Sequence, residues 1–235
     1  MGKIVIAIDG YSGCGKSSTA KAVAKHLGFT YIDSGAMYRA TTLHFLNNHL
    51  SPSNPKDVEK GLKTLSISFQ MNPDSGKQET FLNGLNVEDE IRTMAVSEKV
   101  SEIATIKEIR RELVSQQQRL GKSKGVVMDG RDISSVVFPT AELKIFMTAD
   151  LETRAYRRQQ ELLDKGELVD LDDIKKNLAD RDRIDSSRAE SPLIKVAGAI
   201  EIDTSKLTFE EQVAQIVQLA KEAITKEKDY AGNHR

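Results

Sequence analysis

The chain has 235 residues, with 34 basic against 35 acidic side chains and 39% hydrophobic residues. That is enough apolar sequence for a packed core, at a length of one large domain or one domain with insertions, and it excludes a disordered chain. A formal net charge of −1 argues against a broad nucleic-acid surface, which carries a basic excess, and no apolar run approaches the roughly 18–20 residues of a membrane span.

The opening run Ile4–Ile8 is continuously apolar, as a strand covered on both faces must be, and predicts a central strand of a parallel sheet. Gly10-Tyr11-Ser12-Gly13-Cys14-Gly15-Lys16-Ser17-Ser18 follows. Ala20, Val23, Ala24 and Leu27 then recur at helical spacing, with Gly28 where a helix stop belongs. Phe29–Ile32 reads as a second strand, and Asp33 or Ser34 as the cap of the helix after it. From Leu65 the period shortens: Leu65, Ile67 and Phe69 alternate with polar residues. A turn at 72–76, a strand at 78–82, the hairpin dipeptide Asn83-Gly84 and a strand at 85–87 complete a small antiparallel insertion over 62–90.

Residues 94–120 carry Val96, Val100, Ile103, Ile109, Leu113 and Leu120 at helical spacing. Strands are predicted at 125–128, 143–147 and 199–202, separated by charged helical segments in the alternation of βαβ units. A closing helix spans 208–224, and the polar stretch 226–235 is expected to fray. The predicted fold is α/β: a five-stranded parallel sheet flanked by helices, with the antiparallel insertion and a helical lid.

Gly10-x-x-x-x-Gly15-Lys16-Ser17 between a strand and a helix is the P-loop pattern in its required context. Glycines let successive backbone N–H groups turn toward phosphates, and the helix N-terminus adds positive potential. Lys16 is expected on the β- and γ-phosphates and the Ser17 hydroxyl on Mg²⁺. Asp129, closing the apolar run Val126–Met128, is the candidate carboxylate for the same Mg²⁺. Cys14, the single cysteine, excludes an internal disulfide and fits a reducing, cytoplasmic compartment. Its place near a helix N-terminus leaves open a packing role or a reactive one.

Six of the 13 arginines lie between 154 and 188, in a window whose formal charge is zero. Arginine enrichment without net charge points to planar forks aimed at phosphate or carboxylate rather than to a polyanion surface. Arg154, Arg157 and Arg158 share one helix face by spacing, and so do Arg181, Asp185 and Arg188. The flexible link 166–173 joins them into a cover that closes over phosphates and excludes water. The four histidines stand on helical or tail segments and offer no general base.

These residues resemble the bacterial cytidylate kinases along nearly the whole chain. Beyond the P-loop, the shared motifs are Asp33-Ser34-Gly35-Ala36-Met37-Tyr38-Arg39, Asp129-Gly130-Arg131-Asp132, Val136-Val137-Phe138-Pro139 and Ala141-Glu142-Leu143-Lys144-Ile145-Phe146. Arg154-Ala155-Tyr156-Arg157-Arg158, Arg181-Asp182-x-x-Asp185-x-x-Arg188 and Ser191-Pro192-Leu193 follow in the same order. Tyr11 stands where the family commonly has proline and Ser18 where threonine is common, which affects loop shape and the adenine side.

The resemblance implies ATP-dependent, Mg²⁺-assisted phosphorylation of CMP or dCMP. It places Ser34, Ser101, Arg110, Asp132 and Arg188 around cytosine, Arg39 and Arg131 on the acceptor phosphate, and Arg181 and Asp185 on the ribose. Gly10 to Ser18 would hold ATP, and Lys16, Arg131, Arg157 and Arg158 would serve the transferring phosphoryl group. It also divides the chain into a core (1–61, 91–153, 189–235), an acceptor-binding insertion (62–90) and an Arg-rich lid (154–188). A cytoplasmic monomer with no nucleic-acid or membrane partner is expected. The alternative is another P-loop small-molecule or nucleotide kinase with a different acceptor.

One spacing adds a structural expectation. Ser101 and Arg110 lie nine residues apart, about half a turn out of phase on a straight helix. Both can serve one ligand only if the helix breaks between them, near Thr105.

Overall fold

The computed structural model describes residues 2–232. In chain order the elements are β1 (Val5–Gly10), α1 (Lys16–Leu27), β2 (Thr30–Asp33), α2 (Ser34–Asn47), α3 (Pro55–Lys63), β3 (Ile67–Met71), β4 (Gln78–Leu82) and β5 (Leu85–Asn86). They continue with α4 (Met94–Ile103), α5 (Lys107–Gly121), β6 (Val126–Gly130), β7 (Leu143–Thr148), α6 (Leu151–Leu163), α7 (Leu171–Ser187), β8 (Ile200–Asp203) and α8 (Phe209–Gly232). The chain forms two compact units, one from the described residues of Met1–Asp33 and Gln117–Arg235, the other from Ser34–Gln116.

The first unit is built on the expected five-stranded sheet, ordered β2-β6-β1-β7-β8, with every pairing parallel. All six residues of β1 are buried, which explains its unbroken apolar run: helices cover both faces of a parallel sheet. Ile4, Ile6, Ile8, Val127, Ile145 and Met147 meet Ala20, Val23, Ala24 and Leu27 of α1 and Val213, Ile216, Ala220 and Ile224 of α8 in one core. Each of the Val, Leu, Ile and Met side chains among them contributes about 1.5–3 kcal/mol by leaving water.

The helix α8 runs two turns past its expected end, to Gly232; residues 233–235 lie outside the described ones. Lys124 anchors that extension through an ion pair to Glu227 (3.3 Å). Its partner lies 103 residues away in sequence, so local polarity gave no sign of it.

The second unit holds the antiparallel sheet β3-β4-β5. Asn83 and Gly84 both take positive φ (51° and 83°), as a two-residue type I′ hairpin requires. Leu82, Val87 and Ile91 bury themselves against Ala36 and Ala40 of α2. A second cluster joins Met37, Tyr38 and Phe45 to Val100, Ile103, Ile109 and Leu113. The expected helix break is present: α4 ends at Ile103 and α5 begins at Lys107.

Candidate active site

The strands β1, β6 and β7 end together at the C-terminal edge of the parallel sheet, where ligands of open α/β sheets bind. The P-loop leaves β1 there. Gly10 has φ 148°, and a Cβ on it would fall 1.9 Å from the Met147 carbonyl oxygen, so only glycine fits beside β7. A Cβ on Gly13 (φ 77°) would lie 3.2 Å from the Cβ of Arg154. The loop is thus pressed between β7 and the start of α6, and it feeds directly into the N-terminus of α1.

Lys16 and Cys14 are both buried. The Lys16 ammonium donates to the Tyr11 carbonyl oxygen and lies 3.6 Å from the Cys14 sulfur. Burial holds its pKa below the ordinary lysine range. The Cys14 thiol points inward, its sulfur 3.0 Å from the Tyr11 carbonyl oxygen and 3.4 Å from that of Met147, so its one S–H can donate to either, as a packing residue's does. The Tyr11 ring meets Phe146 edge-on, with centroids 5.9 Å apart, and the Arg154 guanidinium lies 5.4 Å from its centroid. Tyrosine at this position is therefore held by partners that a proline could not engage in the same way.

Asp129 is the next-to-last residue of β6 and is buried. It accepts hydrogen bonds from the Ser17 hydroxyl (2.8 Å) and the Tyr31 hydroxyl (2.9 Å). In the β2–β6 pairing its register partner is Asp33, also buried. Burial and the Asp33 carboxylate push the Asp129 pKa up to about 6, against the pull of Lys16, Ser17 and Tyr31. Burial and Asp129 push the Tyr31 phenol well above its ordinary value, so it remains a donor. A hydroxyl and a carboxylate in contact beside a helix N-terminus suit Mg²⁺, which takes hard oxygen ligands and shares its shell with phosphates and water.

Among the arginines, Arg154 donates to the carbonyl oxygens of Ala149 (3.0 Å) and Ser12 (3.1 Å) and pairs with Asp182 of α7 at 2.7 Å. It ties both α6 and α7 to the P-loop rather than standing free to swing. Arg157 grips the segment after β8, donating to the Thr204 hydroxyl (3.1 Å) and carbonyl (2.7 Å). Thr204 in turn donates toward the Cys14 carbonyl at 3.0 Å. Arg158 pairs with Glu161 at 2.9 Å.

Arg131 donates through Nε to Asp185 at 2.8 Å, and Arg188 lies 3.7 Å from the same carboxylate. Burial pushes the Asp185 carboxyl up, but Arg131, Arg181 and Arg188 outweigh it and hold the pKa below the ordinary value. Arg188 is not on the α7 face as its spacing predicts. It is the first residue beyond the helix, with extended backbone (φ −63°, ψ 143°), and its Nε donates to the Ser191 carbonyl (2.8 Å). The helix stops there because Leu193 turns back to donate to the Asp185 carbonyl oxygen (2.7 Å).

In the second unit, Ser34 and Arg39 lie on α2 and Ser101 on α4. Ser34, Ser101 and Arg110 are buried. Arg110 donates to the Ala104 carbonyl oxygen at 2.8 Å, satisfying a group that the end of α4 leaves without an intrahelical donor. Its guanidinium also lies 5.3 Å from the Tyr38 ring centroid. The break that re-aims Arg110 relative to Ser101 is thus held by Arg110 itself.

The cytidylate kinase family model matches residues 6–222. The chain belongs to the cytidylate kinase family. It is 55% identical over 220 residues to a cytidylate kinase of Cytophaga hutchinsonii, covering 94% of each chain. A cytidylate kinase of Flavobacterium psychrophilum is 52% identical, over 93% of this chain and 98% of its own. One of Bacteroides fragilis is 50% identical, over 90% of this chain and 94% of its own. As a member of the cytidylate kinases the chain is a nucleoside monophosphate kinase with a P-loop fold, and among the described residues no helix is long and apolar enough to cross a membrane.

Three side chains of this cytidylate kinase site escaped the sequence reading. Tyr31 and Asp33 bracket Asp129 from β2, and Thr204 links Arg157 to the P-loop. Asp33 and Thr204 did carry a signal, since each is a polar residue at the C-terminal end of a strand in a parallel sheet. Tyr31 carried none, because its hydroxyl meets Asp129 only once β2 pairs with β6.

Proposed function

We propose that the chain transfers the γ-phosphate of ATP to CMP or dCMP, giving ADP and CDP or dCDP, with Mg²⁺ as the accompanying cation. The observation that carries the reading is the intact phosphate cradle, with Ser17 bonded to Asp129 at 2.8 Å, in a chain that matches the family over residues 6–222. The backbone from Gly10 to Ser18 receives the ATP phosphates. Lys16 exchanges the Tyr11 carbonyl for their β- and γ-oxygens. Ser17 and Asp129 hold the Mg²⁺, which when bound neutralises charge on the phosphates.

Arg131, Arg157 and Arg158 neutralise the transferring group. No general base is needed, because the attacking oxygen belongs to a phosphate that is already anionic. Catalysis then rests on positioning and on preorganised charge. For the acceptor, we assign Arg39 and Arg131 to the phosphate and Arg181 and Asp185 to the ribose, with Asp185 kept ionised as a hydroxyl acceptor.

By resemblance to the family, Ser34, Ser101, Arg110, Asp132 and Arg188 are assigned to the base. Guanidiniums suit the cytosine O2 and N3 acceptors, and the Asp132 carboxylate its 4-amino donor. A uracil 4-oxo group would set acceptor against acceptor, so UMP is the disfavoured substrate. Residues 62–90 are taken as the acceptor-binding insertion and 154–188 as the lid. The near-neutral net charge supports a protein working without nucleic acid, and we take it to be a cytoplasmic monomer.

The test is product analysis with γ-labelled ATP and CMP. Label in CDP, abolished by EDTA, is expected. Label only in inorganic phosphate, or none transferred, would overturn the reading.

A further inference from the structure

Asp9 is the last β1 residue before the P-loop opens at Gly10. Its backbone sits level with Gly130 of β6 and Phe146 of β7, and the residue is 1% exposed. A carboxylate so deep in a sheet needs donors, and it has three. Oδ1 accepts from the Ile133 N–H at 2.7 Å. Oδ2 accepts from the Ser134 N–H at 2.8 Å and from the Ser134 hydroxyl.

These donors open the π-type turn Ile133–Val137, in which the N–H groups of Val136 and Val137 both reach the Asp132 carbonyl (2.9 and 3.2 Å). The first N–H groups of such a turn have no partner within it, and Asp9 supplies one for each. Arg131 and Asp132 are the two residues between the end of β6 and this turn. The direction in which they leave the sheet is therefore set by where Asp9 holds Ile133 and Ser134.

We propose that Asp9 is a positioning residue for the acceptor. Its main chain carries the donor-phosphate loop, its side chain pins the Arg131–Asp132 corner, and the spacing between the two is fixed by one carboxylate. This rests on the roles given above to Arg131 and Asp132. Asp9 touches no substrate atom itself and acts only through them.

The test uses Asp9→Asn and Ser134→Ala, with CMP and ATP varied independently and folding checked by circular dichroism. Ser134→Ala removes one bond of three and should raise KM for CMP about 3–10-fold while KM for ATP moves less than about twofold, the scale of one lost hydrogen bond. Asp9→Asn places an NH₂ against a backbone N–H and should lower kcat/KM for CMP about 10–100-fold, with a reduced preference for CMP over UMP.

Arg131→Lys and Asp132→Ala are measured alongside. If those two leave KM for CMP and base preference unchanged, the acceptor-side roles fail and the proposal fails with them. If they shift these constants while Ser134→Ala and Asp9→Asn change only the melting temperature, or raise both KM values equally, the positioning role alone is overturned. Should Asp9→Asn not fold, Ser134→Ala decides by the same split.

Discussion

Asp129→Asn should stabilise the metal-free protein at neutral pH while abolishing its use of Mg²⁺. In the folded chain burial and Asp33 raise the Asp129 pKa to about 6, from an ordinary value of 3.8. At 1.36 kcal/mol per pKa unit, the difference is a ceiling of about 3 kcal/mol. Between these two pKa values the folded state binds more protons than the unfolded one, so stability falls as pH rises through the window. Above the folded pKa the whole deficit is present; below the unfolded pKa it vanishes.

Asparagine carries no such charge but keeps one acceptor for Ser17 or Tyr31 instead of two, which returns about 1 kcal/mol of the gain. The net, about 1–2 kcal/mol, corresponds to a melting temperature roughly 2–8 °C above the parent for a chain of this size. Melts followed by circular dichroism from pH 4 to 8, without metal, measure it. The advantage should shrink as pH falls, pass through zero at about pH 4–5 and turn slightly negative below it, and Mg²⁺ with ATP should raise the melting temperature of the parent more than that of the variant. A variant less stable than the parent at pH 7.5, or a difference independent of pH, would refute the electrostatic account of this carboxylate.

Lys16→Ala should leave the fold intact and lower kcat by about 10²–10³-fold or more, the cost of one preorganised donor on developing charge, as steady-state kinetics will show. Asp185→Asn leaves the buried Arg188 and the partly buried Arg131 without their shared counter-charge, and urea titration should show a loss of about 3 kcal/mol or more. Asp132→Ala should narrow the ratio of kcat/KM for CMP over UMP by about 10-fold or more, since it removes the acceptor we assign to the 4-amino group of the base.

Much of the site could be read before any coordinates because its signals are local. The P-loop is a run of nine residues between a buried strand and a helix, and Asp129 closes an apolar run of its own. The break between α4 and α5 followed from helical phase once the resemblance had assigned Ser101 and Arg110 to one ligand. The features that escaped are those made by distant partners. Asp9 meets Ser134 across 125 residues of sequence, Arg131 meets Asp185 across 54, and Arg157 meets Thr204 across 47. Arg188 was misplaced because spacing alone continues a helix that a tertiary turn at Leu193 ends. Register and strand order create such contacts, and neither is written in a local pattern.

The central claim is cytosine-selective phosphoryl transfer, and a coupled ADP-release assay with ATP and Mg²⁺ tests it most directly, with CMP, dCMP, UMP, AMP and GMP as acceptors. The account predicts rapid turnover with CMP and dCMP and, with UMP, at least about a tenfold lower kcat/KM, the cost of one mismatched polar contact. Turnover that favours UMP or a purine nucleotide would contradict the base-site assignment, and no turnover with any of the five would contradict the proposed reaction.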